Sequence, residues 1–305
     1  MNITLVTGTT GFVGKEVSKR LTNVRHVIRT DTANEYLNTF KIDSLDSTTD
    51  WTGAFDNVST VLHLAGLAHS NKFTLTQYKS INVEGTVKLA LEAAKAGVKR
   101  FVFVSSIGVN GTLTHKEPFN AKSKPSPHNQ YAQSKYDAEL GLKKLAEEVG
   151  LEVVIVRPTL VYGPGAPGNF GMLTRLVSRL PILPFGMANN RRDFIAVQNL
   201  ADLLVTSVTH PNAAGHTFLA SDGETVSTKD FTNAIADGLG KRVTQLPLPV
   251  GVMRLLGKLT GKSTMIEQLY GNLEVDSSNL HEVLDWTPPL TMKQAMATLR
   301  NSGVK

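Results

Sequence analysis

The chain has 305 residues and 41% hydrophobic composition, the size of one large domain or two intergrown ones. It has no cysteine and its eight histidines do not cluster, which excludes disulfides, cysteine nucleophiles and the common metal-ligand patterns and suits a reducing compartment. The net charge of +6 and pI near 9.4 come from scattered cations, with only short pairs such as Lys143-Lys144 and Arg191-Arg192, which argues against nucleic acid and suits an anionic diphosphate ligand.

In chain order, short apolar runs at Ile3 to Thr7, His26 to Arg29, Thr60 to Leu64, Arg100 to Ser105 and Glu152 to Arg157 read as buried strands. Between them, Gly11 to Leu21, Asn82 to Ala96 and Tyr131 to Val149 carry apolar residues at helical spacing, and Gly97 and Gly150 stand where left-handed caps end the last two. The alternation predicts an α/β fold, a doubly wound parallel Rossmann sheet with helices on both faces. After Arg157-Pro158 the texture turns Gly/Pro-rich, notably Gly163-Pro164-Gly165-Ala166-Pro167-Gly168. The expectation is a cofactor domain over residues 1–165, with 192–220 returning to it, and a smaller C-terminal α/β substrate portion over 166–305. Val250 to Leu259 is apolar with Arg254 and Lys258 on it, and is expected to pack on the smaller portion, a membrane-surface helix being the alternative. No apolar run approaches the roughly 20 residues of a membrane span, and no basic-apolar-small leader pattern opens the chain, so a cytoplasmic location is expected.

The first strand runs into Thr7-Gly8-Thr9-Thr10-Gly11-Phe12-Val13-Gly14, a glycine loop at a strand-to-helix turn, where backbone amides and the helix dipole hold a pyrophosphate. At the second strand's end Arg29 suits a ribose 2′-phosphate and Asp31 a 2′-hydroxyl. Arg29 tips the expectation to NADP(H) over NAD(H). Asp43, followed by Ser44, sits after a third short strand, placed for the adenine amine or as a turn carboxylate.

Tyr131-Ala132-Gln133-Ser134-Lys135 sets a tyrosine and a lysine one helical turn apart. A free tyrosine titrates near ~10, so acid–base work at neutral pH needs its phenolate stabilised, which a neighbouring ammonium and a nicotinamide's charge would do. Six Tyr and 20 Lys in 305 residues give roughly 0.4 such pairs by chance, so the spacing needs company. Ser106 supplies it, at the end of Phe101-Val102-Phe103-Val104-Ser105, where ligands meet an open parallel sheet; Ser105 is the rival.

With TGTTGFVG, HLAG at His63 to Gly66, INVEGT around Asn82, FVFVSSIGVNG, YAQSK, RPTLVYGPG and RRDFIAV, the chain resembles the extended short-chain dehydrogenase/reductases over nearly its full length, in particular the UDP-galactose 4-epimerase branch. The resemblance implies Ser106, Tyr131 and Lys135 as catalytic residues. It implies Asn82 as a structural or proton-relay residue, and Thr7, Leu64, Ala65, Gly66, Val104 and Pro158 along the cofactor. It also implies a homodimer through the helices beginning near Asn82 and Tyr131, and Asn169 and Arg192 on the diphosphate of a UDP-sugar, where the guanidinium fork holds two oxygens at once.

VYGPG, GNF, NRRDFIAVQNLADLL and TFLASDGE are similar to bacterial polysaccharide-cluster enzymes that reduce the C4 ketone of a UDP-2-acetamido-2,6-dideoxy-4-hexulose. That reduction is the expected reaction, and 4-epimerisation of a UDP-sugar the alternative. Ala65-Gly66-Leu67-Ala68-His69 lacks the lysine that follows the corresponding epimerase segment, and Ile107-Gly108 after Ser106 lacks a dehydratase's acidic pair. A non-catalytic NAD(P)-binding regulator is the remaining alternative, against which both Tyr131 and Lys135 are retained.

Overall fold

The computed structural model describes residues 3–31, 36–68 and 72–301. Its first half runs β1 (Ile3–Thr7), α1 (Phe12–Ser18), β2 (Val24–Arg29), β3 (Thr39–Ile42), β4 (Val58–His63), α2 (Leu75–Tyr78), a π-helix (Lys79–Gly85), α3 (Thr86–Lys95), β5 (Arg100–Val104), α4 (Gln130–Val149) and β6 (Glu152–Pro158). The second half runs β7 (Leu160–Tyr162), α5 (Gly168–Arg179), β8 (Ile182–Leu183), β9 (Phe194–Ala196), α6 (Val197–Thr209), β10 (Thr217–Ala220), α7 (Thr228–Gly238), β11 (Thr244–Gln245), α8 (Val250–Leu259), α9 (Ser263–Tyr270), α10 (Ser278–Leu284) and α11 (Met292–Ala297).

Seven strands form one parallel sheet in the order β3-β2-β1-β4-β5-β6-β10. Its central strands are β-branched and aromatic and buried on both faces, as a sheet covered by helices requires. One face packs on α3 and α4 through Leu89, Ala93, Ala138 and Leu142; the other packs on α6 and α10 through Leu200, Leu204 and Leu284. The order reverses between β1 and β4, and there the carboxyl ends of the strands open a crevice for ligands. A third cluster, around Tyr162, Phe170, Phe194 and Phe231, forms the core of the remaining elements; the rings of Phe194 and Phe231 stack at 3.7 Å.

The predicted strands recur with ends displaced by one or two residues, and Gly97 and Gly150 take positive φ at the ends of α3 and α4. Two elements differ from expectation. The helix expected from Asn82 starts instead as a π-helix, whose wider turn is compensated by side-chain bonds from Asn82 to backbone outside it. Helix α8 packs only along Val250, Met253 and Gly257, and its other apolar residues stand exposed.

Candidate active site

Gly8, with φ +75°, turns the chain out of β1, and a Cβ on it would lie 2.7 Å from the Ala65 nitrogen. A Cβ on Gly14 would lie 2.1 Å from the Gly8 carbonyl oxygen, so α1 approaches the loop only because position 14 has no side chain. Gly11 is exposed at the N-cap of α1 and supplies no side-chain cap for the first-turn amides of Phe12, Val13 and Gly14. A close loop followed by uncapped amides fits a pyrophosphate, and hence a dinucleotide.

Behind the loop, one hydrogen-bonded chain joins three elements. Thr86 donates to the Asn82 carbonyl oxygen at 2.8 Å, so its oxygen accepts from His63 Nε2 at 3.0 Å, leaving Nδ1 to accept from Thr7 at 2.7 Å. Thr7 in turn accepts from the Ala65 amide at 3.2 Å. Burial of His63 pushes its pKa down to about 3, with the Lys135 charge adding to the effect, so the imidazole is neutral. Asn82 clamps Leu67, accepting from its amide at 2.7 Å and donating to its carbonyl at 3.1 Å. Gly66 leaves room for this clamp: a Cβ there would meet Asn82 Oδ1 at 2.9 Å and Lys135 Nζ at 3.5 Å.

Asn129 caps α4, accepting from the Ala132 amide, and sets Tyr131 and Lys135 on consecutive turns. Asn82 also donates to Ser134 at 3.0 Å, and Ser134 to the Tyr131 carbonyl at 2.8 Å, which ties the π-helix to this first turn. Lys135 donates to the Val104 carbonyl at 3.0 Å and lies 4.7 Å from the Phe103 ring centroid. Desolvation brings its pKa down to about 8, opposed by the Glu139 carboxylate one turn on. Ser106 hydrogen-bonds the Tyr131 side chain and accepts from the Gly108 amide at 3.1 Å. Burial pushes Tyr131 up to about 12, against the lowering effect of Ser106, so the protein's own groups keep the phenol protonated. The depression expected from Lys135 is not found: burial and the neighbouring Tyr78 raise the phenol, and only the Ser106 hydrogen bond lowers it.

Ser105 turns the other way. It donates to Glu139 at 2.5 Å, and Arg157 grips both oxygens of that carboxylate at 2.9 and 2.5 Å while reaching Asn110 at 3.0 Å. Neither charge sees solvent, so each oxygen and N–H in the fork offsets a desolvation cost.

The ribose selectors do not separate as expected: Arg29 and Asp31, both largely exposed, form an ion pair at 3.5 Å. Asp43 is exposed and accepts from Thr30 at 2.7 Å, and Ser44 uses its carbonyl to hold Thr49. Leu64 continues the β4 edge, its amide bonded to Thr7, and Pro158 ends β6 opposite Ala220. Asn169 is exposed in the first turn of α5, 3.5 Å from Gln268 of α9, and Arg192 donates to the Gly271 carbonyl just beyond α9, which brings both residues to one hairpin. Burial lowers Arg192 to about 10, leaving it charged at neutral pH, whereas the exposed Arg191 pairs with Glu274 at 2.7 Å.

Sequence reasoning missed three participants. Tyr36 stacks on His26 at 4.0 Å and donates to the Thr9 carbonyl in the glycine loop, 27 residues away in the chain, a contact that no local sequence pattern signals. Tyr78 lies 6.3 Å from Tyr131, ring to ring, and donates to the Ala68 carbonyl. Glu139 follows Lys135 by four residues, a spacing that signalled a shared helix face.

The family model described as the NAD dependent epimerase/dehydratase family matches residues 4–220. The UDP-glucose 4-epimerase of Vibrio cholerae is 42% identical, across 95% of this chain and 92% of that protein. The fold is shared with the UDP-glucose 4-epimerase of Thermotoga maritima solved with UDP-glucose, at TM-score 0.77 and 22% identity over 99% of this chain and 98% of that one. It is shared also with the UDP-glucuronic acid 4-epimerase of Bacillus cereus in complex with NAD, at TM-score 0.77 and 17% identity over 98% of each. The chain therefore belongs to the NAD dependent epimerase/dehydratase family, and is an NAD(P)-dependent enzyme of the extended short-chain dehydrogenase/reductase type.

Proposed function

We propose that the protein is a UDP-hexose 4-epimerase in which Tyr131 moves the C4-hydroxyl proton, Ser106 aligns the C4 oxygen and Lys135 supports the phenolate. The observation that carries the chemistry is the meeting of Ser106 with Tyr131 beside the Val104-tethered Lys135, at the carboxyl edge of the sheet. The 42% identity to a UDP-glucose 4-epimerase supports epimerisation over ketone reduction. A bound nicotinamide supplies the hydride acceptor and donor. The oxidising half needs Tyr131 as the phenolate, which the Lys135 ammonium one turn away and the positive charge of an oxidised nicotinamide would together stabilise against burial; in that form Tyr131 takes the hydroxyl proton. In the reducing half, Tyr131 returns that proton from its high-pKa form. Arg192 and Asn169 are assigned to the diphosphate, with residues 1–165, joined by 192–220, forming the cofactor domain and the rest of 166–305 mainly holding sugar nucleotide. Asp31 offsets the Arg29 charge on which an NADP(H) preference rests, so NAD is the assigned cofactor. A homodimer and a cytoplasmic, reducing location complete the reading; the cysteine-free sequence is consistent with the latter.

C4 reduction of a 4-keto UDP-sugar is the second reading, favoured by Leu67 and Ala68 after Gly66 where the epimerase pattern has a lysine. The position at His69 that continues this segment lies outside the described residues. Purified protein, denatured to identify any released nucleotide, is compared with native protein given UDP-glucose and no added cofactor. Co-purified NAD and formation of UDP-galactose support the epimerase. Stoichiometric loss of NADPH or NADH with a 4-keto UDP-sugar, and no conversion of UDP-glucose, establishes the reductase.

A further inference from the structure

Helix α8 carries two apolar stripes. Val250, Met253 and Gly257 pack inward, with Gly257 so close to Ile266 that a Cβ would lie 2.8 Å from it. Val252, Leu255, Leu256 and Leu259 form the second, at spacings of three, four and seven residues, and are 45%, 57%, 47% and 76% exposed. The apolar surface continues beyond the helix. The Leu246 amide bonds the Leu183 carbonyl, and Tyr270 of α9 bonds the Pro184 carbonyl, joining the α8–α9 hairpin to the β8–β11 edge, where Leu180, Ile182, Met187 and Leu246 are exposed. Ten of the 14 exposed large apolar side chains among the described residues fall in segments 168–190 and 238–266, a concentration far above scattered surface residues.

The charge of these segments is equally one-sided. They contain seven cations and no Asp or Glu, leaving 25 cations against 26 acids in the rest of the chain, so the molecule's whole positive surplus belongs to them. Arg254, Lys258 and Lys262 border the exposed stripe itself, and the nearest acid, Glu267, is held by Arg254 at 2.8 Å. A second copy related by a two-fold axis would bring Lys258 and Lys262 against their own kind, the hairpin's one carboxylate, Glu267, being already paired with Arg254. An exposed leucine stripe bordered by the unneutralised Lys258 and Lys262, with Glu267 taken up by Arg254, is the pattern of a helix lying in an anionic lipid interface, and no helix among the described residues is long and apolar enough to cross a membrane.

We propose that the α8–α9 hairpin and the adjoining β8–β11 edge dock the protein on an anionic phospholipid surface, leucines in the acyl boundary and lysines at the phosphates. Docking sets Asn169 and Arg192, which meet the same hairpin through Gln268 and Gly271, close to the bilayer. The proposal stands independently of the reaction assigned above.

The test is flotation of the full-length protein with vesicles of phosphatidylcholine, alone or mixed with phosphatidylglycerol, at low and high salt. The protein is expected to float with the anionic vesicles and to come off as salt rises. Leu255→Ser with Leu259→Ser should lower partitioning at least tenfold, and Lys258→Gln with Lys262→Gln about fivefold per lysine removed, with the melting temperature unchanged in both. Wild-type protein that stays unbound at low salt overturns the proposal, as does vesicle binding indifferent to both pairs of substitutions. So does a leucine variant whose only change is its oligomeric state or its capture by an acidic protein partner.

Discussion

Lys135 donates to the Val104 carbonyl at 3.0 Å, so the first turns of α4 are tethered to the last residue of β5, immediately before the two serines at the sheet edge. The tether holds the ammonium where burial has brought it to about 8. If the charged form supports the Tyr131 phenolate, kcat/KM should fall as pH rises through about 8, since the neutral amine gives no such support. Lys135→Met should abolish that limb and lower kcat by about 10²-fold or more. A pH–rate profile of the cofactor-loaded enzyme, wild type against variant, checks both.

The two serines predict opposite phenotypes. Ser106→Ala removes the partner of Tyr131 and should lower kcat by about 10- to 100-fold with the fold intact, while Tyr131→Phe should lower it by about 10²–10⁴-fold and still bind NAD. Ser105→Ala leaves a Glu139 oxygen short of one donor and should cost about 1–3 kcal/mol of stability with kcat nearly unchanged. Steady-state kinetics beside urea unfolding separate the two positions.

How legible these positions were depended on whether local pattern or distant chain determined them. The glycine loop, the strands and the Tyr131–Lys135 face were readable because turn sterics, two-sided burial and helical spacing act over a few residues. Which serine faces Tyr131 follows from Glu139 claiming Ser105 across 34 residues of chain, with Arg157, 18 residues further on, holding that carboxylate in place, a relation no local pattern carries. The π-helix escaped because Asn82 gains its partners on Leu67 and Ser134 only in the fold, and Tyr36 because its bond to Thr9 spans 27 residues of chain. The exposed stripe of α8 has the composition of a packed helix, and only its surroundings distinguish the two.

The Glu139–Arg157 fork is a stability device. Glu139→Leu or Arg157→Met alone leaves a buried partner uncompensated and should cost about 3–5 kcal/mol, whereas the two combined should recover much of the loss. A double-mutant cycle by denaturant titration reads this directly.

His63 makes stability depend on acid. Burial holds its folded pKa down at about 3, below the ordinary histidine value of 6.5, so the unfolded chain binds the extra proton between those values. Its contribution is fully present above 6.5 and is lost as pH falls towards about 3, with a limiting slope of about 1.4 kcal/mol per pH unit. Comparing unfolding free energies of the wild type and His63→Gln at pH 7 and pH 5 should show the difference shrinking at the lower pH.

The most direct test of the proposed reaction follows the hydride itself. UDP-glucose deuterated at C4 is incubated with the cofactor-loaded enzyme in ordinary water, and the product is examined by NMR and mass spectrometry. The account predicts UDP-galactose with deuterium retained at C4 and no net change in reduced cofactor. Absence of UDP-galactose, with deuterium instead transferred from labelled NADPH or NADH to C4 of a 4-keto UDP-sugar, would contradict it.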